Sequence, residues 1–201
     1  TIRLLKNQTG LWLVQECQRI WRENGEDFPF EEMASMAEDA KPFTALIDPD
    51  AADFQAPCDM PRKIREYCRR TRQPVPADKG ALLRVIFESL ALKARYVLED
   101  LETLSRTKMG VLHIVGGGSK NKTLNQYVAD AIGRRVVTGP AEATALGNII
   151  MQMIAMDDLQ SVEDGRALVR RSFQLENYDP SGAAGWDHAY ARLQTLLEDL
   201  T

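Results

Sequence analysis

Hydrophobic positions along the chain recur mainly at the spacing of α-helices. In the longest such stretch, from Asp78 to Lys108, apolar residues recur every three or four positions and charged residues fill the opposite face. The apolar face comprises Leu83, Ile86, Leu90, Ala94, Val97, Leu101 and Leu104, and the charged face comprises Arg84, Glu88, Arg95, Glu99 and Glu102. This pattern predicts an amphipathic helix. Because its first half is richer in apolar residues, we expect that half to lie against a sheet.

Shorter stretches predict seven further helices and three strands. The helices are expected at Gly10–Glu23, Phe30–Ala40, Asp59–Arg72, Asn121–Ile132, Pro140–Met156, Ser161–Arg171 and Gly185–Leu200, and the strands at Ile2–Leu5, Val111–Val115 and Arg134–Thr138. Asp59 suits a helix cap, Pro140 suits a first helical turn, and Ser161 with Asp164 resembles a capping box. Many helices with few strands indicate a helix-rich α/β fold. No shift in composition marks a boundary, so residues 1–201 are treated as one domain.

The composition is that of an ordinary globular chain. Its 201 residues are 44% hydrophobic and 27% charged, with a formal net charge of −4. This charge gives no general attraction to nucleic acid or to an anionic membrane, and no apolar run has the length of a membrane span. Three cysteines without CxxC spacing and two histidines predict neither a disulfide framework nor a zinc cluster. We therefore expect a cytoplasmic protein.

One stretch, VLHIVGGGSKNKTLNQYVADAIG, suggests a binding site. It joins a short strand pattern to a helical pattern through Gly116, Gly117 and Gly118. Glycine permits positive φ and leaves the backbone N–H groups unhindered, and the next helix presents its positive N-terminal end at the same place. These features indicate an anion site, for which phosphate is the usual ligand. A plain strand-to-helix turn that only needs tight packing remains the alternative.

Neighbouring residues refine the interpretation of this turn. Lys120 is not placed as in a Walker A loop, and Asn121 stands where a dinucleotide fingerprint requires glycine. Asn121 and Asn125 share one helical face, where they can either cap the helix or contact the edge of a heterocycle. Gly147 lies inside a predicted helix, where glycine costs about 1 kcal/mol relative to alanine. We therefore expect a close approach of a helix or a ligand at Gly147.

These residues carry a family resemblance that covers nearly all of the chain. The stretch HIVGGGSKNKTLNQYVADAIGRRVVTGPAEATALGNIIMQ resembles the adenosine-binding end of the FGGY sugar kinases. The stretches LLKNQTGLWLVQECQRIW and LLRVIFESLALKARYVLEDL resemble the rhamnulokinase branch of that family. The resemblance implies an actin-like ATPase fold, with this chain forming an incomplete ribonuclease H-like domain, helix-rich with a small mixed sheet.

The resemblance also implies an activity and a set of site residues. FGGY kinases of this branch use ATP and Mg²⁺ to phosphorylate the 1-hydroxyl of L-rhamnulose. Gly117 matches a glycine whose backbone contacts the nucleotide, and Asn121 matches a position that reaches the adenine. Asn7 and Gln15 match two ATP-contacting positions. A cap of the first helix is the alternative role for Asn7, and a solvated helical position is the alternative for Gln15.

One departure from the family concerns catalysis. The catalytic aspartate and most of the sugar pocket belong to an N-terminal domain of these kinases, and nothing in this sequence matches either. Asp48, Asp50 and Asp53 are interpreted as turn and capping residues. We therefore expect a C-terminal fragment that has neither a catalytic residue nor a metal ligand of its own. The strand at Ile2–Leu5 would then be an open sheet edge, at which the chain self-associates or frays.

Two classes of function follow from this sequence. One is the nucleotide-binding half of a sugar kinase, and the other is a nucleotide-binding sensor or scaffold of the same fold without phosphoryl transfer. A Rossmann-type cofactor domain is a third reading, but the strand RRVVTG ends without the carboxylate which that fold needs. His113 is interpreted as a buried structural histidine, and the basic run at 62–72 as a solvated helix face.

Overall fold

The computed structural model describes residues 4–198. This range contains eight α-helices, three β-strands and two short 3₁₀ turns. Helices α1 to α8 span Trp12–Glu23, Phe30–Asp39, Met60–Arg70, Lys79–Ser105, Lys122–Ile132, Ala143–Ala155, Val162–Ser172 and Trp186–Glu198; strands β1 to β3 span Val111–Ile114, Arg135–Thr138 and Glu176–Tyr178; the 3₁₀ turns span Ala52–Phe54 and Gly117–Lys120. None of the described helices combines the length and the apolar character that crossing a membrane requires.

Every predicted helix is confirmed, with its ends shifted by a few residues. Four of the helices begin at a side-chain cap: Asp59, Asp78, Asn121 and Ser161 each accept a hydrogen bond from the backbone N–H three residues later, at 3.1, 2.7, 2.8 and 3.1 Å. Such caps satisfy N–H groups that have no partner inside the helix. Helix α6 begins at Ala143 rather than at the predicted Pro140. The predicted end of the last helix, Leu200, lies outside the described residues.

The sheet differs from the prediction in its third strand. Strands β1 and β2 pair in parallel, as expected, and β3 pairs antiparallel to β2 on the far side. The predicted strand at Ile2–Leu5 is wrong where the structure describes it, because Leu4 and Leu5 lie in neither helix nor strand. Residues 2 and 3 lie outside the described part. The edge of the described sheet nearest the glycine turn is therefore β1, and self-association through residues 2–5 stays a prediction.

Helix α4 is the central element of the core. Contrary to the expectation that it lies against a sheet, it packs mainly on α2 and α5. Every residue from Val85 to Lys93 is buried. Glu88, predicted on the solvated face, is buried because helices surround this half on all sides; its carboxylate accepts hydrogen bonds from Arg84 Nε at 2.6 Å and Phe43 N at 2.8 Å. Leu104, predicted in the apolar face, is 70% exposed because α4 extends beyond the core there.

Glu102 connects the end of α4 to the sheet. Its carboxylate accepts hydrogen bonds from Met109 N at 2.7 Å, Lys108 Nζ at 2.8 Å and Arg134 Nη1 at 2.5 Å. The hydrogen bond from Arg134, followed by those from Lys108 and Met109, lowers the pKa of Glu102 to about 2. These contacts hold the end of α4 next to the residues that precede β1 and β2. Glu102 was also predicted to be solvated, but its carboxylate is buried.

Helices α6 and α7 form a hairpin outside the main core. No residue of α6 is buried, and Ile149 and Met151 are 50% and 55% exposed. No neighbouring helix of the described chain approaches Gly147 closely, because no atom from outside its own helix lies within 4 Å of the position that a Cβ would take there, and the approach of a ligand stays a prediction. The close approach is made by Gly165 of α7 instead, on which Ile150 packs.

Candidate functional site

A groove with a volume of about 980 Å³ lies at the carboxyl end of β1, with α2 and α5 on its sides. Buried apolar side chains such as Leu90 and Val128 form its base. The groove is lined by Gln8, Thr9, Gly10, Leu11, Gln15, Phe30, Glu31, Ala34, Ser35, Glu38, Leu90, Ala94, Ile114, Gly117, Gly118, Lys120, Asn121, Lys122, Thr123, Leu124, Asn125 and Val128. An apolar base with polar groups around it is typical of a small-molecule site.

The glycine turn forms one end of this groove. Gly116 has φ +81°, which confirms that the turn uses the backbone freedom of glycine. Its carbonyl oxygen accepts hydrogen bonds from Ser119 N at 3.1 Å and Ser119 Oγ at 2.6 Å. The Gly118 carbonyl accepts from Asn121 N at 3.1 Å. The turn therefore satisfies these carbonyl oxygens with its own donors.

The N–H groups of Gly117 and Gly118 remain open. In the part of the chain that the structure describes, neither has a hydrogen-bond acceptor, because they are the first donors of a helical turn. No atom lies within 4 Å of the position that a Cβ would take on Gly117. Consecutive free N–H groups in such a turn form an anion-binding concavity, and Lys120 and Lys122 add positive charge on the same groove.

Asn121 and Asn125 both face the groove, as their spacing predicted. Asn121 Oδ1 accepts a hydrogen bond from Leu124 N at 2.8 Å, so this side chain caps α5 and also lines the groove. Asn125 is completely buried, and its Nδ2 donates to the Ser119 carbonyl at 2.9 Å. The sequence suggested two alternative roles for Asn121, a helix cap or a ligand contact. The structure shows that its capping role is compatible with a position on the groove.

The N-terminal segment contributes one of its two predicted site residues to the groove. Gln15 is exposed on α1 and lines the groove, so it is solvated and also accessible to a ligand. Asn7 is exposed and is not among the lining residues, although the residues at 8–11 that follow it are. The proposed cap by Asn7 is wrong, because α1 begins at Trp12 and the residue before it, Leu11, forms no side-chain cap. Gly116 is not among the lining residues.

A buried ion-pair network holds this N-terminal wall in place, and sequence reasoning missed it. Lys93 of α4 is 6% exposed, and its Nζ lies 2.8 Å from Asp48 Oδ1 and 3.4 Å from Asp50 Oδ2. Asp50 Oδ1 in turn accepts a hydrogen bond from Thr9 N at 2.7 Å. Asp48 also accepts from Asp50 N at 3.1 Å, which agrees with its predicted role in a turn. No local pattern links Lys93 to these aspartates, because they are more than 40 residues apart.

A second contact missed from the sequence joins the two sides of the groove. The Thr123 hydroxyl, at the start of α5, donates to Glu38 Oε1 near the end of α2 at 2.7 Å. The pair fixes the distance between α2 and α5 at this end. Glu38 therefore lines the groove and, through its hydrogen bond with Thr123, also holds the two helices together.

The other residues singled out from the sequence lie outside the groove. His113 is exposed on β1, so its interpretation as a buried histidine is wrong. Arg70 of the basic run pairs with Asp53 at 2.8 Å, and Arg62 pairs with Glu66 at 2.9 Å, so acidic neighbours compensate part of that charge. Cys17 is a buried free thiol whose pKa is raised by burial. Among the described residues, no group of three or more His, Cys, Asp or Glu side chains could hold a metal ion.

Comparison with known sequences identifies the family. A profile of the C-terminal domain of the FGGY family of carbohydrate kinases matches residues 1–156. The chain belongs to the FGGY family of carbohydrate kinases. It is 47% identical over 197 residues to a rhamnulokinase of Bacteroides thetaiotaomicron and 38% identical over 201 residues to one of Bacillus subtilis. The matches cover 98% and 100% of this chain but only 40% and 41% of those kinases.

Solved structures show that the fold is that of this kinase family. A ligand-bound xylulose kinase of Lactobacillus acidophilus superposes with a TM-score of 0.65 at 15% identity, covering 96% of this chain and 38% of that one. A glycerol kinase of Plasmodium falciparum, solved with ADP, gives 0.61 at 17% identity, covering 94% and 36%. The expected actin-like ATPase fold, helix-rich with a small mixed sheet, is confirmed.

Proposed function

We propose that this chain is the nucleotide-binding part of an ATP-dependent sugar kinase, and that the complete enzyme converts L-rhamnulose to L-rhamnulose 1-phosphate. The complete enzyme is the longer kinase polypeptide of which we propose that this chain forms part. Membership of the FGGY family and the similarity to rhamnulokinases support the reaction and the sugar. The observation that carries the nucleotide site is the pair of open N–H groups at Gly117 and Gly118 on the groove.

The groove offers each part of ATP a matching surface. Phosphate oxygens would accept hydrogen bonds from the Gly117 and Gly118 N–H groups, where the end of a helix also favours negative charge. The apolar base around Leu90 and Val128 suits a purine ring, and the amides of Gln15 and Asn121 offer donors and acceptors to its edge. Phosphoryl transfer depends on positioning and on charge stabilisation. We propose that this chain contributes the positioning of the nucleotide.

The described residues do not form a Mg²⁺ site by themselves. The groove-lining carboxylates are Glu31 and Glu38 of α2, and Glu38 is bonded to Thr123. Mg²⁺ usually binds through one or two carboxylates together with substrate phosphates. We propose that the ion, the sugar and the catalytic base belong to the remainder of the kinase. A cytoplasmic location is proposed with this function.

A sensor or scaffold of the same fold is the alternative function. Such a protein would bind a nucleotide at the glycine turn and the groove but would not transfer a phosphoryl group. The rhamnulokinases and the xylulose and glycerol kinases that resemble this chain are all named as kinases, and no feature of the groove favours a sensor. Kinase activity of the complete protein with L-rhamnulose separates the two.

The substitution Gly117→Val tests the nucleotide assignment. Open space surrounds the Cβ position of Gly117, so valine is accommodated by the protein but occupies the place of a phosphate. In the complete enzyme we expect KM for ATP to rise by at least about tenfold, the effect of losing a well-placed hydrogen bond or two. We expect KM for the sugar to stay within about twofold.

Gly110→Val is the matched control, because Gly110 is exposed, lies outside the groove and also has no atom within 4 Å of its Cβ position. It should leave both KM values unchanged. If Gly117→Val raises the two KM values equally, or raises neither, the glycine turn does not hold the nucleotide and the proposal is wrong.

A further inference from the structure

Asn125 is a buried amide with one unpaired atom. Its side chain lies at the base of the groove with 0% exposure. In the described part of the chain, its Oδ1 has no hydrogen-bond partner. A buried acceptor without a partner costs stability, so its presence at a binding groove requires an explanation.

The neighbouring hydroxyl does not relieve this oxygen. Tyr178 of β3 lies beside the Asn125 amide, but its hydroxyl donates to Glu176 Oε2 at 2.5 Å. This hydrogen bond is the largest of the effects that lower the pKa of Glu176, to which Lys122 adds. A leucine has the same branched shape as asparagine, although it is larger, and it would remove the unpaired oxygen while taking the donor away from the Ser119 carbonyl. What asparagine offers and leucine does not is the Nδ2 donor.

The Nδ2 donor acts on the glycine turn. It holds the Ser119 carbonyl at 2.9 Å, and Ser119 in turn holds the Gly116 carbonyl through its own N and Oγ. In a trans peptide unit the C=O and the N–H point in opposite directions. Fixing the Gly116 carbonyl toward Ser119 therefore fixes the Gly117 N–H away from it. Asn125 is the first member of a chain of hydrogen bonds that ends at the Gly116 carbonyl, whose peptide unit carries the N–H group of the groove-lining Gly117.

We propose that Asn125 is a positioning residue of the nucleotide site, which holds the glycine turn in the conformation that presents the Gly117 N–H to a phosphate. This inference rests on the proposed function. We expect Asn125 to act through the glycine turn rather than by contact with the nucleotide, because its side chain is completely buried. Its unpaired Oδ1 is the cost of placing a donor at this point.

The test is Asn125→Leu in the complete kinase, measured with a fluorescent ADP analogue carrying a methylanthraniloyl group on the ribose. We expect Kd for this analogue to rise about tenfold, as for the loss of one well-placed hydrogen bond. We expect KM for the sugar to change little and Tm to fall, because leucine is larger than asparagine in a completely buried site and leaves the Ser119 carbonyl without its donor. Asn24→Leu, at the exposed end of α1, is the control and should leave Kd unchanged.

The outcomes are distinct. An unchanged Kd in Asn125→Leu overturns the inference, as does a lower Tm with an unchanged Kd, which is the behaviour of a purely structural residue. If the leucine variant does not fold, Kd of Asn125→Ala decides in the same way. Gly117→Val is measured in the same experiment. If only Gly117→Val weakens binding, the nucleotide site is supported and the proposed role of Asn125 is wrong. If neither Gly117→Val nor the Asn125 variant weakens binding, the nucleotide site and the role of Asn125 are both wrong.

Discussion

At the scale of residues, Lys93 and Glu102 connect distant parts of the fold through buried ion pairs, whereas caps and turns depend on near neighbours. The positive φ of Gly116 and the caps at Asp59 and Asn121 follow from residue type and near neighbours, and the structure contains all three. The partners of Lys93 and Glu102 could not be predicted, because their contacts depend on elements brought together by the fold. The same limit applied to Glu88, whose charge suggested a solvated position although its side chain is completely buried.

Glu102 provides a prediction about pH. Its pKa falls from 4.5 to about 2 in the folded chain, chiefly through Arg134. A carboxyl group with a lowered folded pKa stabilises the fold above its unfolded pKa, and this contribution is lost as the pH falls through the folded value. We therefore expect Glu102→Gln to lower the urea midpoint most above pH 4.5, and the difference from the wild type to disappear toward pH 2.

Glu163→Gln, at an exposed position of α7, is the control and should give a small difference at every pH. A difference between Glu102→Gln and the wild type that stayed constant from neutral pH to pH 2 would show that the ion pair with Arg134 does not lower this pKa.

At the scale of elements, periodicity predicted the helices better than the strands. Each long helix carries its pattern over ten residues or more. The strand Glu176–Tyr178 has three residues and no alternation to detect, so it was missed. Leu4 and Leu5 have the composition of a strand but no partner strand in the described sheet, because composition alone does not create pairing. Residues 4 and 5 therefore do not pair with β1 as predicted, and β1 is itself an edge strand of the described sheet.

The α6–α7 hairpin gives a prediction with an internal control. A Cβ added to Gly165 would lie well inside van der Waals contact with Ile150, whereas one added to Gly147 would meet nothing within 4 Å. Gly147→Ala should stabilise α6 by up to about 1 kcal/mol, the difference in helix propensity. Gly165→Ala should instead destabilise the hairpin by about 1 kcal/mol or more, because overpacking outweighs that gain.

Thermal unfolding of the two variants measures this difference. Equal and favourable shifts of Tm in both would mean that α7 does not pack on α6 through Gly165.

At the scale of the whole molecule, the family resemblance supplied what periodicity could not. The order of helices and strands indicated only a helix-rich α/β chain, while the glycine turn followed by Asn121 indicated the kinase family, which the sequence profile confirms. The groove itself could not be predicted in shape, because its walls come from α1, α2, α4 and α5 as well as from the turn. The chain spans about two fifths of the length of the rhamnulokinases it resembles. We therefore expect phosphoryl transfer to need the other parts of such a kinase.

Residues 1–201 alone should therefore show no turnover. Half of a cleft cannot position two substrates for phosphoryl transfer. With ATP and L-rhamnulose, a coupled assay of ADP release should stay at background, while the complete kinase gives a clear rate. Sustained turnover by residues 1–201 alone would show that catalysis does not require the rest of the enzyme.

The central claim is that the groove at the glycine turn binds the nucleotide. Hydrogen–deuterium exchange of the complete kinase, with and without ADP, tests it most directly. We expect ADP to slow exchange in peptides covering 116–125, while peptides from α7, remote from the groove, exchange as before and the sugar alone gives no protection at 116–125. Unchanged exchange at 116–125 under saturating ADP, with protection elsewhere in the chain, would contradict the account.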